Sequence, residues 1–273
     1  MNLNIGRIPF LVCAPFFHNF LTKEGDFPRF SFFDGSPQAH NDALKQNLID
    51  LAPASSITYA QYPDQFLLSP KLCTSCRFEV QSVKLFSHKP LKELNFKNIH
   101  LTSQSATSVA LLQVLLSLRF QMTPVYIRDR AYQAGLDDAR LLIGDEALLE
   151  TYARRFPYSF DLATLWEEWQ HLPFVFGAWV INKKAMASEK KELLESFLDE
   201  TEKSVALFRG DPKSALNIWL KQFPVDLPYS MIFSYYDSLD YSFTPERKES
   251  LQLFFDLCFQ MNIIPNATKL TFV

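Results

Sequence analysis

The stretch 78-FEVQSVKLFS-87 decides how this chain is divided. It reads as one long extended segment, of a length that suits a chain leaving one lobe and entering another. A second extended run, 174-FVFGAWVIN-182, would carry the chain back. Two extended crossings between two lobes describe a hinged architecture whose ligand sits in the intervening cleft. The expected division places residues 1–88 and 180–273 in a discontinuous first lobe with a helical C-terminal part. Residues 89–179 form the second.

Outward from the first crossing, 3-LNIGRIPF-10 predicts a strand running into a turn, and Pro15 opens a short aromatic helix. Residues 29-RFSFF-33 alternate as a second strand, and Pro37 begins a helix to about Asn47. The brief apolar run 49-IDLAP-53 makes a third strand. Strand, helix, strand in this order implies a right-handed crossover and a parallel sheet, hence an α/β class. The proline- and tyrosine-rich segment that follows reads as loop, with 73-CTSC-76 as free thiols inside it.

In the second lobe the pattern gives a strand at His100, a helix over 105–120, strands at 124–129 and 140–144, and helices near 145–155 and 162–171. Beyond the return crossing, Leu194, Leu198, Val205 and Phe208 recur at helical spacing and Gly210 supplies a stop. Asp211-Pro212 and Thr244-Pro245 are cap-then-proline helix starts. Trp166, Trp169 and Trp179 are expected to pack the second lobe and hinge, with Trp179 near enough to a crossing to stack on a ligand instead.

Composition narrows the function. A chain of 273 residues with 48% hydrophobic content can bury a large core. A net charge of −3 without any Lys/Arg block argues against a nucleic-acid surface. No apolar span is long enough for a membrane helix, and MNLNIGRIPF lacks the pattern of a secretory signal. Four cysteines in so long a chain make a disulfide framework improbable, so a cytoplasmic location is expected. The five histidines are scattered and suggest no metal constellation.

Small polar residues collect where ligands bind in open α/β sheets, beyond the carboxyl ends of strands and at the starts of helices. Three places qualify: Ser55-Ser56 after IDLAP, the run 101-LTSQSATSVALLQVLL-116, and Gly144-Asp145 after LLI. A helix start offers unpaired N–H groups and partial positive charge, suited to a carboxylate or phosphate. One serine would be an ordinary cap. A run containing Ser105, Thr107 and Ser108 opposite Ser55-Ser56 points to an anion cradle.

With these residues in view, the chain resembles the chorismate dehydratase family of the futalosine-dependent menaquinone pathway. The resemblance runs through 5-IGRIPFLVCAP-15, 49-IDLAPASSITYA-60, 81-QSVKLFS-87, 102-TSQSATSVALLQVLL-116, 141-LLIGDEAL-148 and 173-PFVFGAW-179. It implies a two-lobed fold like that of type II periplasmic binding proteins, used inside the cell without a cofactor. It implies dehydration of chorismate to 3-[(1-carboxyvinyl)oxy]benzoate, an elimination driven by ring aromatisation, with the substrate's own enolpyruvyl carboxylate as base. The family's cleft serine falls on Ser82, which the resemblance makes catalytic. Ser55, Ser56, Ser105, Thr107, Ser108 and Asp145 become candidates for substrate binding.

Two departures stand out. Val12 occupies a slot the family fills with asparagine, and a valine side chain neither donates nor accepts a hydrogen bond. Gln170-His171 stands where relatives commonly have Thr-Gly. Two functional readings therefore remain: a dehydratase, or a non-catalytic or repurposed paralogue binding another small aromatic carboxylate.

Overall fold

The structure, a computed structural model, describes residues 2–23, 25–187 and 189–273. The first sheet is built as the alternation predicts. Strands β1 (Leu3–Arg7), β2 (Phe30–Asp34) and β3 (Leu51–Ser55) run parallel, with Leu3 opposite Phe30 and Ile5 opposite Leu51. Helix α1 (Ala14–Thr22) joins the first two and α2 (Pro37–Lys45) the second pair. Ser36 caps α2 by accepting the Ala39 N–H at 3.2 Å.

The long strand β4 (Phe66–Cys76) was not foreseen, because Pro70 reads as a strand breaker. Its tolerance has a local cause. The return crossing β10 (Phe174–Asn182) pairs Ala178 with Cys73 and then Val180 with Leu68, so the segment carrying Pro70 bulges out of that ladder. Cys73 and Cys76 consequently lie in a strand rather than a loop. Three residues apart in a regular strand, they face opposite sides of the sheet and cannot act together. Both thiols are buried, and burial pushes both up to about 12.

The return crossing lies entirely in the first sheet, whose order closes as β11-β4-β10-β3-β1-β2 with the short β11 (Asp240–Ser242) at the edge. Between β3 and β4 lies α3 (Ser56–Gln61). After β10 the chain is mostly helical, as expected: α7 (Lys183–Met186), α8 (Lys191–Gly210), α9 (Pro212–Gln222), α10 (Tyr229–Ser238) and α11 (Pro245–Gln260). Leu194, Leu198, Val205 and Phe208 form the buried stripe of α8, and Asp211 caps α9 through Ser214 N–H. Thr244 makes no such bond; its hydroxyl instead accepts from Arg247.

The second sheet has the order β7-β6-β8-β5-β9. Its strands are β5 (Val83–Ser87), β6 (Asn98–His100), β7 (Val125–Ile127), β8 (Ala139–Ile143) and the unforeseen edge strand β9 (Tyr158–Asp161). The helices around it are α4 (Ala106–Val114), α5 (Gly144–Ala153) and α6 (Leu162–Gln170). The helix expected over 105–120 is regular only to Val114. It ends in a wider turn, Leu115–Arg119, closed by Phe120 N–H on the Leu115 carbonyl. At the end of α6, His171 adopts a left-handed backbone with φ of 57°. There a Cβ crowds the carbonyl and glycine is favoured.

The first crossing is not straight. The extended segment shortens to β5, and residues before it fold into a bend with Gln81 at φ 63°. One carboxylate holds that bend. Asp161 accepts the N–H groups of Val80 (3.1 Å) and Gln81 (2.8 Å), and those of Ala163 and Thr164 at the start of α6. Ser82 follows directly, so its position is fixed from the second sheet.

A single contiguous apolar cluster runs through both sheets. Trp179 is fully buried within the first sheet's core, its ring 5.4 Å from Phe16 and 5.3 Å from Phe197. Trp166 packs on Phe174 and donates to the Ser250 hydroxyl on α11 at 3.2 Å. Both are structural. Between α3 and α4 lies a polar joint: the Thr107 hydroxyl accepts the Ile57 N–H at 3.2 Å and meets the Ser56 hydroxyl at 3.2 Å, while Ser56 donates to the Val175 carbonyl. Ser55 gives α3 no side-chain cap, so a residue of the other sheet supplies it. Replacing Thr107 by valine keeps the volume but orphans these buried groups. The expected cost is about 1–3 kcal/mol, read as a lowered urea midpoint with unchanged slope.

Candidate active site

The carboxyl ends of β1, β3 and β8 converge on a cavity of about 660 Å³, solvent-open part included. One wall is the turn after β1, with Phe10, Val12 and Cys13, together with Ser55 at the end of β3. The facing wall carries Ser82, Ser105 and Ser108, with Ile143 and Gly144 at the end of β8. Thr74, Phe176 and Tyr235 complete it. Among the described lining residues none bears a charged side chain. The cavity is an apolar vessel dotted with hydroxyls, and the start of α4, which carries no acidic residue, brings the partial positive charge of a helix N-terminus to its wall.

Ser105 caps α4. Its hydroxyl accepts the Ser108 N–H at 3.2 Å and donates to the Ser108 hydroxyl at 2.9 Å. That arrangement leaves the Ser108 proton for a ligand in the cavity. Residues three apart share a helix face, which is why these two look inward together. Thr107, on the opposite face, does not. It and Ser56 are fully buried in the joint between α3 and α4, so their expected place on the cavity wall is corrected by the structure. Ser55, Ser82, Ser105 and Ser108 are brought together around the cavity as the sequence suggests.

Asp145 lies behind the wall rather than on it. Its carboxylate accepts the Leu11 N–H at 3.1 Å, reaching from the second sheet's α5 to the turn after β1. Burial raises this carboxyl to about 7, against the opposing effect of the Leu11 N–H. Two phenols secure the same turn: Tyr236 donates to the Leu11 carbonyl at 2.8 Å and Tyr241 to the Val12 carbonyl at 2.9 Å. Both are pushed far up by burial and stay protonated donors at neutral pH. Tyr235, likewise raised by burial, lies close to the Ser82 side chain on the cavity wall. Next to Asp145, Gly144 has φ of 58°, and a Cβ there would sit 2.9 Å from the Phe10 ring. Glycine is therefore required where the two walls touch.

The three tyrosines were missed from the sequence. Their only signal is the density of tyrosine in 229–241, which an apolar helical pattern also produces. Val12 lines the cavity with its alkyl group, and neither His18 nor Asn41 stands beside it there to supply an amide or imidazole.

A family model described as menaquinone biosynthesis matches residues 3–260. The chain belongs to that family. A curated relative, the chorismate dehydratase of Thermus thermophilus, is 34% identical over 188 residues. The match covers 61% of this chain and 65% of that protein, so the chain spans somewhat less than two thirds of the relative's length. Among solved structures, a protein from Archaeoglobus fulgidus superposes with a TM-score of 0.75 at 20% identity, over 96% of this chain and 98% of that one. The alkanesulfonate-binding protein of Xanthomonas axonopodis pv. citri, bound to MOPS, gives 0.72 at 16% identity, covering 98% and 95%. The periplasmic aliphatic sulphonate binding protein of Escherichia coli gives 0.68 at 17%, covering 98% and 94%. At these identities the likeness establishes the fold: two α/β lobes of the periplasmic-binding-protein kind. No described helix is long and apolar enough to cross a membrane.

The Asp145 carboxyl binds its proton more tightly folded (about 7) than unfolded, where the ordinary carboxyl value is 3.8. Its contribution to stability is thus fullest at low pH and is lost as pH rises from about 4 through about 7. Asp145→Asn keeps an oxygen for the Leu11 N–H but cannot ionise. Relative to the native chain, its urea midpoint is expected to improve progressively over that interval; a constant difference would refute the assignment.

Proposed function

We propose that this chain is a chorismate dehydratase of menaquinone biosynthesis, a carbon-oxygen lyase forming 3-[(1-carboxyvinyl)oxy]benzoate. The observation that carries the reading is the hydroxyl-lined cleft, without a charged side chain among its described lining residues, in which Ser82 and Tyr235 meet, within a member of that family. The lobes divide, in this reading, at the bend before β5 and at the entry to β10, a few residues before the boundaries 88/89 and 179/180. The cytoplasm is the place of action.

Chorismate brings two carboxylates, and the cleft meets them with neutral donors. In this reading one carboxylate lies at the start of α4, with Ser105 and Ser108, and Ser55 contributes from the opposite wall. The reaction removes a proton from the ring carbon bearing the enolpyruvyl ether and a hydroxide from its neighbour, which leave together as water. The ring becomes aromatic, so no electrons are exchanged with a cofactor. No carboxylate or imidazole lines the described cavity, which supports the enolpyruvyl carboxylate of the substrate itself as the base. Ser82, with the Tyr235 phenol close by on the same wall, is the group we assign to the departing hydroxyl. The apolar walls exclude water while charge moves.

Val12 favours a second reading, binding without turnover, because its alkyl group takes a position the family gives to an amide. The two separate cleanly. Purified protein incubated with chorismate should yield the benzoate ether by chromatography with mass detection. Ser82→Ala should lower kcat by about 10²–10³ with a smaller change in KM. Intact chorismate after long incubation, with calorimetric binding, would establish the paralogue instead. In that case Val12→Asn should create turnover.

A further inference from the structure

A second cavity lies beside the first, on the far side of the Ser56–Thr107 joint, with about 1290 Å³ of space, its solvent-open part included. Both lobes line it: Gln38, Gln61 and Asn262 from the first, Thr102, Ser103, Gln113 and Arg128 from the second. Ser105 lines both cavities, and Pro37 of the first is followed by Gln38 of the second. Ser105, at the start of α4, therefore stands between the two spaces.

The chemistry of this second space differs from that of the first. It offers carboxamides and hydroxyls, one guanidinium and, among the described lining residues, no carboxylate. The nearest acid on its wall helix, Asp42, is engaged by Gln38 and Lys45. Asp129, next to Arg128 in the chain, does not line the cavity. Elsewhere in the same lobe Arg119, Arg130, Arg140 and Arg155 are each held by a carboxylate, and Arg154, which makes no ion pair among the described residues, does not line this cavity. Arg128 is exposed and, among the described residues, makes no ion pair. An unpaired cation on the wall of a donor-rich hollow attracts anions, and its field falls off within a screening length.

We propose that this second cavity is a vestibule in which Arg128 captures a small carboxylate and delivers it past Ser105 into the inner cleft. Among its described lining residues the inner cleft has no cation, so this guanidinium supplies the long-range attraction that helix ends, effective only at contact, do not. The inference rests on the cleft being the binding site.

The test uses intact protein, Arg128→Ala and Arg128→Lys. Association of chorismate is followed by stopped-flow tryptophan emission, with benzoate as a separate simple carboxylate, and kcat/KM is measured alongside. At low ionic strength Arg128→Ala should slow association and lower kcat/KM by about 3- to 10-fold, with kcat unchanged. Arg128→Lys should retain most of the native rate. In about 1 M salt, where the screening length is about 3 Å, the variants should converge. Equal association rates for the native chain and Arg128→Ala at low salt would overturn the vestibule. So would a loss confined to kcat. Absence of turnover with charge-dependent association intact would sink the dehydratase reading and leave the vestibule standing.

Discussion

A cleft whose described walls carry no charged side chain can attract an anion only through hydroxyls and backbone N–H groups, and these act only where the backbone is held still. That constraint organises the molecule around the two turns facing each other across the cleft. The turn after β1 is held through Leu11 and Val12 by a carboxylate and two phenols drawn from three different elements. The bend carrying Ser82 is held by Asp161, whose carboxylate also starts α6. In both, buried polar groups spend their hydrogen bonds on main chain, and the side chains facing the ligand are left small and neutral.

The joint between the lobes follows the same logic. Thr107 and Ser56 resemble ligand-binding residues in every respect visible from the sequence: small, hydroxylic, and placed at helix starts. What sequence cannot convey is the direction in which each points across the cleft. Ser105 and Ser108 turn in and Thr107 turns away, toward a helix of the other lobe that lacks its own cap. The opening run of hydroxyls on α4 therefore serves two ends, one face for the cavity and one for the joint.

Much of the architecture was legible because its signals are local. Parallel strands separated by proline-started helices, the apolar crossing β10 and the Asp211 cap all follow from neighbouring residues. Four of the seven candidate site residues line the cleft: Ser55 at the end of β3, Ser82 just before β5, and Ser105 and Ser108 at the start of α4. The failures are non-local. Pro70 fits in β4 only because the partner strand slips its register there, β9 is too short to alternate visibly, and the tyrosine clamps depend on a helix folding back from the far end of the chain. Asp145 was placed at the right helix start but assigned to the ligand, whereas its partner is the main chain of the opposite turn.

All four cysteines are unpaired and buried, yet they occupy different regimes of the fold. Cys13 stands on the cleft wall, whereas Cys258 sits in α11 behind the first sheet. Alkylation of the two therefore clocks different events: parting of the lobes exposes the first, and only loss of the hydrophobic interior exposes the second. The chain carries its own pair of stopwatches, one for breathing and one for collapse, and a molecule lodged in the cleft would slow the first alone.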